Sequence, residues 1–235
     1  MRPIERGPWP LDEDSKKKVF KKYGNARGDL IDRLGEYCSY CERSILASLA
    51  VEHMLAKDLH PHLEKEWSNF LLSCANCNSN KSVKDIQLDD YFWPDRDNTF
   101  RALAYGPDAQ IKVAGGLRPE QQDRARRTLE LTGLDKRPPP VNLRGSSDRR
   151  WGHRHATWSV AAFWRDWLAE DPGNEKLRQA IIKAARNSKG FWSVWMTVFE
   201  KYPEVRADFI EAFPGTSSSC FDKRANPVQR PGGAV

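Results

Sequence analysis

The sequence contains no apolar run long enough to span a bilayer, for which roughly 20 residues are needed. Its first residues, MRPIERGPWP, carry charges and are not followed by the apolar segment of a secretory signal. These absences predict a cytoplasmic protein that has no membrane partner. Charged residues make up 30% of the chain and hydrophobic residues 39%, so the chain can bury a core beneath a solvated surface.

Cysteine is scarce and its number is odd, with five cysteines among 235 residues. Four of them form two C-x-x-C pairs, Cys38/Cys41 and Cys74/Cys77, whereas Cys220 stands alone in a polar stretch. This count and spacing, in a chain expected to be cytoplasmic, argue for a metal site and against disulfides. Redox-active or simply buried thiols are the alternative, but two isolated C-x-x-C pairs rarely arise together by chance.

Zinc prefers a tetrahedral cage of thiolates, and each C-x-x-C turn can present two sulfur atoms to one ion. We therefore predict a structural Zn²⁺ bound by Cys38, Cys41, Cys74 and Cys77. A closed four-cysteine site has no open coordination position, so this ion is expected to hold the fold and not to activate water. The gap between the two pairs is longer than in a minimal zinc ribbon, which predicts another element folded between them.

The remaining chain changes pattern several times along its length. Residues 12–35 predict one or two short helices, and TFRALAYGPDAQIKVA predicts a β-hairpin. The stretch from Pro119 to Gly133 predicts a helix, and the proline-rich, basic segment DKRPPPVNLRGSSDRR predicts a linker. Residues 155–213 have a helical pattern throughout. Together these segments predict an α+β protein.

Three regions follow from these patterns. We expect an N-terminal domain with the zinc site over residues 1–118 and a helical C-terminal region over residues 119–213. The last residues, 214–235, are rich in proline, glycine and serine, which predicts a disordered tail.

The chain is mildly basic, with a net charge of +6, which permits a nucleic-acid partner without requiring one. Arg149, Arg150 and Arg154 flank Trp151, a combination that suits a nucleic-acid backbone with a base stacked on the indole. A solvated basic linker explains the same cluster equally well. The other tryptophans of the helical region predict a core, and their number also suits a docking surface.

Polar residues between and just after the cysteine pairs have the chemistry for phosphodiester hydrolysis. Glu52 adjoins His53, Asn69 follows, and Asn78 comes directly after Cys77. Adjacent residues of a strand point to opposite faces, but at a strand end they can flank one site. A neutral histidine is suited to act as base near pH 7, and carboxylate and amide oxygens suit Mg²⁺ or Mn²⁺.

At these positions the sequence resembles the HNH endonuclease family. The pattern C-x-x-C … E-H-x-x-x-K … W-x-N-x-L-x-x-C-x-x-C-N-x-x-K is that of its four-cysteine group. The resemblance implies a ββα-metal core in which His53 is the general base and Asn69 orients it and braces the loop. It also implies that Glu52 and Asn78 bind a catalytic Mg²⁺ or Mn²⁺, and that Lys81 lies near the phosphate.

Over the longer chain, MRPIERG, the HNH core, the hairpin, the LELTGLD segment and the helical tail are similar to the HNH nuclease subunits (PtuB-like) of Septu and retron-associated antiphage systems. This resemblance implies DNA as substrate and an ABC-type ATPase subunit as partner. It makes residues 1–118 the nuclease domain and residues 119–213 the region that docks the partner or contacts DNA.

Two other functions fit the same residues. The first is a non-catalytic zinc-ribbon adaptor that binds nucleic acid or a protein. The second is an HNH nuclease that acts on RNA, because such a site grips phosphate and distinguishes little of the sugar.

Overall fold

The structure, a computed structural model, describes residues 1–47, 49–136 and 148–235. Most of the predicted linker lies outside the described residues. The strands are β1 (Ala50–His53), β2 (Phe70–Ser73), β3 (Leu103–Tyr105) and β4 (Ile111–Val113). The helices are α1 (Arg27–Leu34), α2 (Ala75–Lys81), α3 (Thr99–Ala102), α4 (Pro119–Thr132), α5 (Arg150–Glu170), α6 (Glu175–Arg186), α7 (Trp192–Val198) and α8 (Pro203–Ala212). Short antiparallel strand pairs followed by a helical region confirm the predicted α+β class.

β1 and β2 form an antiparallel pair that leads directly into α2. The register places Val51 opposite Leu72 and Glu52 opposite Leu71. Every residue of β2 is buried, as its apolar run suggests. At the start of α2 the Sγ of Cys74 accepts a hydrogen bond of 3.4 Å from the N–H of Cys77. This β–β–α unit is the predicted core, and it places the second cysteine pair at a helix N-terminus.

α4 packs on this unit through a glycine at its end. The helix begins with Pro119 and ends at Gly133, whose φ of 62° is in the left-handed region. A Cβ at Gly133 would lie 2.5 Å from the side chain of Asn80 in α2, so the position requires glycine for two reasons. Ala125 and Leu129 of α4 are buried in the same core as the paired cysteines.

The two hydrophobic cores do not divide the chain at residue 118, where the sequence predicts a boundary. The first core extends through α4 to Leu134. The second begins in α5 at Ala161, and it also contains Phe100 from the segment before α4. The pattern of α4 indicates that one face is buried, but it does not indicate which core buries it.

The N-terminal segment is less helical than its sequence predicts. A 3₁₀ turn over Tyr23–Ala26 precedes α1, and residues 14–22 are not helical. The carboxylate of Asp12 accepts hydrogen bonds from the N–H groups of Asp14 (3.1 Å) and Lys16 (2.9 Å), which closes a local turn instead. Lysines at i, i+4 spacing in this segment add like-charge repulsion that opposes a helix.

Residues 214–235 are packed against the rest of the protein, which corrects the expectation of a disordered tail. Cys220 and Val235 have no exposed surface. The side-chain amide of Asn98 donates to the carbonyls of Cys220 and Val228, both at 2.7 Å, and its backbone N–H donates to Val235 at 2.9 Å. The composition of the tail could not predict these contacts, because they are hydrogen bonds to backbone carbonyls and do not require a periodic apolar face.

We expect Asn98→Ala to lower the free energy of unfolding by about 2–4 kcal/mol, because it orphans two carbonyls and removes the cap of α3. Asn174→Ala is the matched control, since Asn174 caps α6 without contacting the tail. Its expected cost is about 1 kcal/mol. Urea unfolding compares the two. Equal costs would show that the hydrogen bonds from Asn98 to the tail add nothing to the stability of the fold.

No helix within the described ranges has both the length and the apolar character needed to cross a bilayer.

Candidate functional site

The four paired cysteines converge on one point. The Sγ atoms of Cys38, Cys41, Cys74 and Cys77 all lie within 4.8 Å of one another, and all four residues are buried. Cys41 and Cys74 are 3.7 Å apart at sulfur, close to the edge of about 3.8 Å expected for a tetrahedron with Zn–S bonds of about 2.3 Å. Four thiols are the donor set that zinc prefers. Hydrogen bonds from Cys38, Cys41 and Cys77 lower the pKa of the Cys74 thiol, whereas burial and the neighbouring thiols raise the pKa of Cys77, so a bound cation is needed to hold all four as thiolates.

Arg150 of α5 contacts this cage. Its Nη1 donates to the Sγ of Cys77 at 3.1 Å and to the carbonyl of Thr132 at 2.9 Å, and its Nη2 donates to Gly133 at 2.9 Å. A guanidinium beside a thiolate forms a charge-assisted hydrogen bond. Arg150 therefore joins the cage, the end of α4 and the start of α5.

Burial removes most of the predicted basic cluster from a nucleic-acid surface. Arg150 and Arg154 are 2% and 3% exposed, and Arg154 donates to the carbonyl of Ala109 at 2.9 Å. Trp151 stacks on His155 with ring centroids 5.4 Å apart. Arg150 and Arg154 therefore hold the start of α5 in place, which corrects the interpretation of these two arginines as part of a nucleic-acid site, whereas Arg149 is exposed.

A second site lies next to the cage, where β1 ends and α2 faces it. It is a cleft of about 200 Å³. Because β1 ends at His53, the neighbours Glu52 and His53 both reach the cleft instead of pointing apart. The residues that line it are Tyr23, Val51, Glu52, His53, Ala56, Lys57, Asp58, Asn78, Lys81, Ser82 and Val83.

The imidazole of His53 is held by three contacts. Its Nε2 lies 2.9 Å from the carbonyl oxygen of Glu64, and its ring packs edge-to-face with Tyr23 at 4.8 Å and Phe70 at 5.2 Å. A carbonyl only accepts hydrogen bonds, so in the neutral ring Nε2 carries the proton and Nδ1 is the basic nitrogen. Burial lowers the pKa of His53, which favours the neutral ring that a general base requires.

Asn69 braces the loop between the two strands. Its Oδ1 accepts from the N–H of Leu55 at 2.8 Å, and its Nδ2 donates to the carbonyls of Leu55 (2.9 Å) and Leu63 (3.4 Å). Leu63 adjoins Glu64, whose carbonyl holds His53. Asn69 thus reaches the imidazole through the loop backbone and not by direct contact, whereas the resemblance implied that it orients the ring as well as bracing the loop.

Glu52 and Lys81 face each other in the cleft wall as a buried ion pair. Lys81 Nζ lies 3.1 Å from Glu52 Oε1, and the two side chains are 3% and 5% exposed. Burial raises the pKa of Glu52, although the charge of Lys81 acts in the opposite direction. Asn78, one turn before Lys81 on α2, is exposed and lines the same cleft.

Tyr23 and Lys57 line the cleft although neither was predicted as a site residue. Tyr23 comes from the turn before α1, far from the cysteine pairs along the chain, and no pattern in the sequence connects it to His53. Lys57 belongs to the E-H-x-x-x-K pattern, so its spacing from His53 was the available signal. Lys57 Nζ pairs with Asp58 at 2.8 Å, and both residues line the cleft.

Comparison with known proteins identifies the segment that carries both sites. The model of the HNH endonuclease family matches residues 38–84, which include both cysteine pairs and the cleft residues from Val51 to Val83. A curated relative, the Septu protein PtuB of Bacillus thuringiensis, is 37% identical over 59 residues, which are 24% of this chain and 23% of that protein. The matched stretch thus spans about a quarter of the length of that relative. Residues 38–84 of this chain therefore match the HNH endonuclease family, and a stretch of 59 residues of the chain is similar to the Septu protein PtuB.

Proposed function

We propose that this protein is a metal-dependent endonuclease that hydrolyses DNA phosphodiester bonds, with His53 as the general base. The observation that carries the proposal is the fixed imidazole of His53 in a cleft that also contains Glu52, Asn78 and Lys81. The Nε2 contact with Glu64 leaves Nδ1 to take a proton from the attacking water. The match to the HNH endonuclease family supports the same chemistry.

Glu52 and Asn78 are the residues that would hold a catalytic Mg²⁺ or Mn²⁺. Carboxylate and amide oxygens are hard donors that fit such ions, and both residues line the cleft beside His53. A bound divalent ion supplies neutralisation of the charge on the scissile phosphate and on the leaving oxygen. Lys81 adds a fixed positive charge on the same wall, although its ammonium is held by Glu52 and not extended toward solvent.

We expect Glu52→Gln and Asn78→Ala to raise the Mg²⁺ or Mn²⁺ concentration needed for cleavage, so that excess metal partly restores activity. Glutamine is preferred to alanine at position 52, because its side-chain oxygen still accepts a hydrogen bond from the buried ammonium of Lys81, which alanine cannot do. The measurement is plasmid nicking across a metal titration, with zinc content recorded for each variant.

The matched control is Ser79→Ala, an exposed neighbour on α2 that does not line the cleft. Its metal requirement should equal that of the wild type. Unchanged metal requirements in both Glu52→Gln and Asn78→Ala would contradict the assignment of these residues.

The same assay separates the two alternative functions. A zinc-ribbon adaptor would bind nucleic acid or a protein and cleave neither DNA nor RNA at any metal concentration. An RNA-directed enzyme would cleave RNA and spare the plasmid. If the isolated chain shows no cleavage, the assay is run on the complex recovered from the native host.

The similarity to a Septu protein supports a role in a cytoplasmic antiphage defence complex, and we assign an ABC-type ATPase subunit as the partner. The apolar face of α5 is the surface we assign to this contact, because Val160, Phe163 and Trp167 are 46%, 53% and 49% exposed there. Trp192 and Trp195 are fully buried in the second core and are not available for docking.

We expect Phe163→Asp combined with Trp167→Asp to abolish co-purification with the ATPase subunit while the zinc content stays unchanged. Leu46→Asp is the control, since Leu46 is 79% exposed on a different segment. Truncation after residue 139 is a poor test, because Arg150 contacts the cage and Ser193 donates to Glu42 at 2.7 Å. Retained co-purification of the double variant would exclude α5 as the docking face.

A further inference from the structure

Tyr23 lies on the wall of the cleft although it precedes the segment that matches the family. Its ring centroid is 4.8 Å from that of His53, with the ring planes at 66°. Apart from the imidazole itself, Tyr23 supplies the only aromatic ring in the lining of this cleft among the described residues. A residue from a separate part of the chain therefore touches the proposed general base directly.

The turn that carries Tyr23 is anchored. It continues directly into α1, whose Leu30 and Leu34 are buried in the first core. Ala26 at the end of the turn is buried as well, and the side chain of Asn25 accepts a hydrogen bond of 2.9 Å from the N–H of Lys22. Tyr23 is thus presented to the cleft by an element tied to the core.

The contacts of His53 restrain the position and the plane of the imidazole ring separately. The hydrogen bond to Glu64 fixes the position of Nε2, but one bond to a carbonyl lets the plane of the imidazole rotate. The edge-to-face contacts with Tyr23 and Phe70 restrict that plane. The plane of the ring determines where the lone pair of Nδ1 points, and therefore which water molecule it can deprotonate.

We propose that Tyr23 is a positioning residue, which acts through His53 by fixing the plane of its imidazole. The inference deepens the proposed function and rests on His53 being the general base. It assigns a role in the cleft to the aromatic ring of Tyr23, and none to its hydroxyl group.

The kinetic test compares Tyr23→Ala with Tyr23→Phe in the full chain, on plasmid DNA. We expect Tyr23→Ala to lower kcat about tenfold, because loss of the packed ring misorients the base, with KM changed less than about twofold. Tyr23→Phe keeps the ring and should restore most of the rate. An equal loss in Tyr23→Phe would assign the function to the hydroxyl and overturn the inference.

Two controls distinguish a loss of His53 positioning from a nonspecific effect of substitution on the enzyme. Val19→Ala lies on the same segment at a site that is 84% exposed, and its kcat should match the wild type. In a His53→Ala background, Tyr23→Ala should cause no further loss, because a residue that acts through His53 has nothing left to position. A further tenfold loss there would overturn the inference.

The spectroscopic test requires no cleavage, so it distinguishes this inference from the proposed function. Nitrogen-15 NMR of the zinc-loaded chain reports the tautomer and ring dynamics of His53, assigned by difference from His53→Ala. We expect a single Nε2–H tautomer in the wild type and in Tyr23→Phe, and exchange broadening in Tyr23→Ala. An unchanged His53 signal in Tyr23→Ala refutes the positioning role alone, whereas cleavage that survives His53→Ala refutes the proposed function.

Discussion

Replacing His53 by alanine is expected to lower the rate of DNA cleavage by about 10²- to 10⁴-fold, the range typical for loss of a general base. Excess Mg²⁺ or Mn²⁺ should not restore the activity, because the missing step is proton transfer from water and not metal binding. This distinguishes His53→Ala from Glu52→Gln and Asn78→Ala. Plasmid nicking across the same metal titration measures all three.

A second variant is needed beside His53→Ala, because His53 is 7% exposed and packs against two aromatic rings, so that alanine also removes packing. Truncation to alanine is expected to lower the free energy of unfolding by about 1–3 kcal/mol. His53→Gln retains an N–H donor for the carbonyl of Glu64 and cannot act as a base near pH 7. Both variants should lose cleavage and keep their zinc. Wild-type rates in either one would place the general base elsewhere.

Asn69→Ala should fall between the wild type and His53→Ala in rate. Asn69 transfers no proton, but its amide ties Leu55 to Leu63 next to the carbonyl that holds the imidazole. Losing it loosens the loop and leaves the base chemically intact.

Replacing Cys77 by serine is expected to remove the bound zinc and unfold the N-terminal core. Binding of structural zinc supplies about 10–16 kcal/mol in zinc-finger peptides, which is as large as the total stability of a typical domain, about 5–15 kcal/mol. The loss has a second cause, because Arg150 would lose its thiolate partner while remaining buried. Circular dichroism, solubility and metal content measure the outcome, and Cys38→Ser should behave in the same way.

Cys220→Ala is the control for this experiment. Cys220 is buried in the packed tail, so its replacement is expected to cost about 1 kcal/mol through lost packing while the zinc content is preserved. A wild-type protein that is folded and contains no zinc would contradict the structural role of the four-cysteine cage.

Local spacing in the sequence was sufficient for the cage, and the resemblance to the HNH endonuclease family implied the β–β–α unit. Two C-x-x-C pairs specify four thiols, and in the structure the apolar run before Cys74 is a buried strand that ends at the start of α2. The adjacent Glu52 and His53 indicated the chemistry of phosphodiester hydrolysis. All of these signals lie within short windows, where residue spacing translates directly into geometry.

Contacts between distant segments were decided by the tertiary structure. Tyr23 contacts His53, Arg150 contacts Cys77, and the tail contacts Asn98. Each contact joins segments that are far apart in the sequence, so no local residue pattern could predict it. The lysine-rich segment before Tyr23 was predicted to be helical because it contains helix formers, but local turns and charge repulsion opposed that propensity.

The sequence by itself determined which groups are present: four thiols for a metal ion, and a histidine, a carboxylate and amides for hydrolysis. The tertiary structure decided how they are held, including the pairing of Lys81 with Glu52 and the nitrogen of His53 that is left basic. The physical reason is that residue identity sets donor chemistry, whereas ring planes, ion-pair partners and burial depend on neighbours supplied by remote parts of the chain.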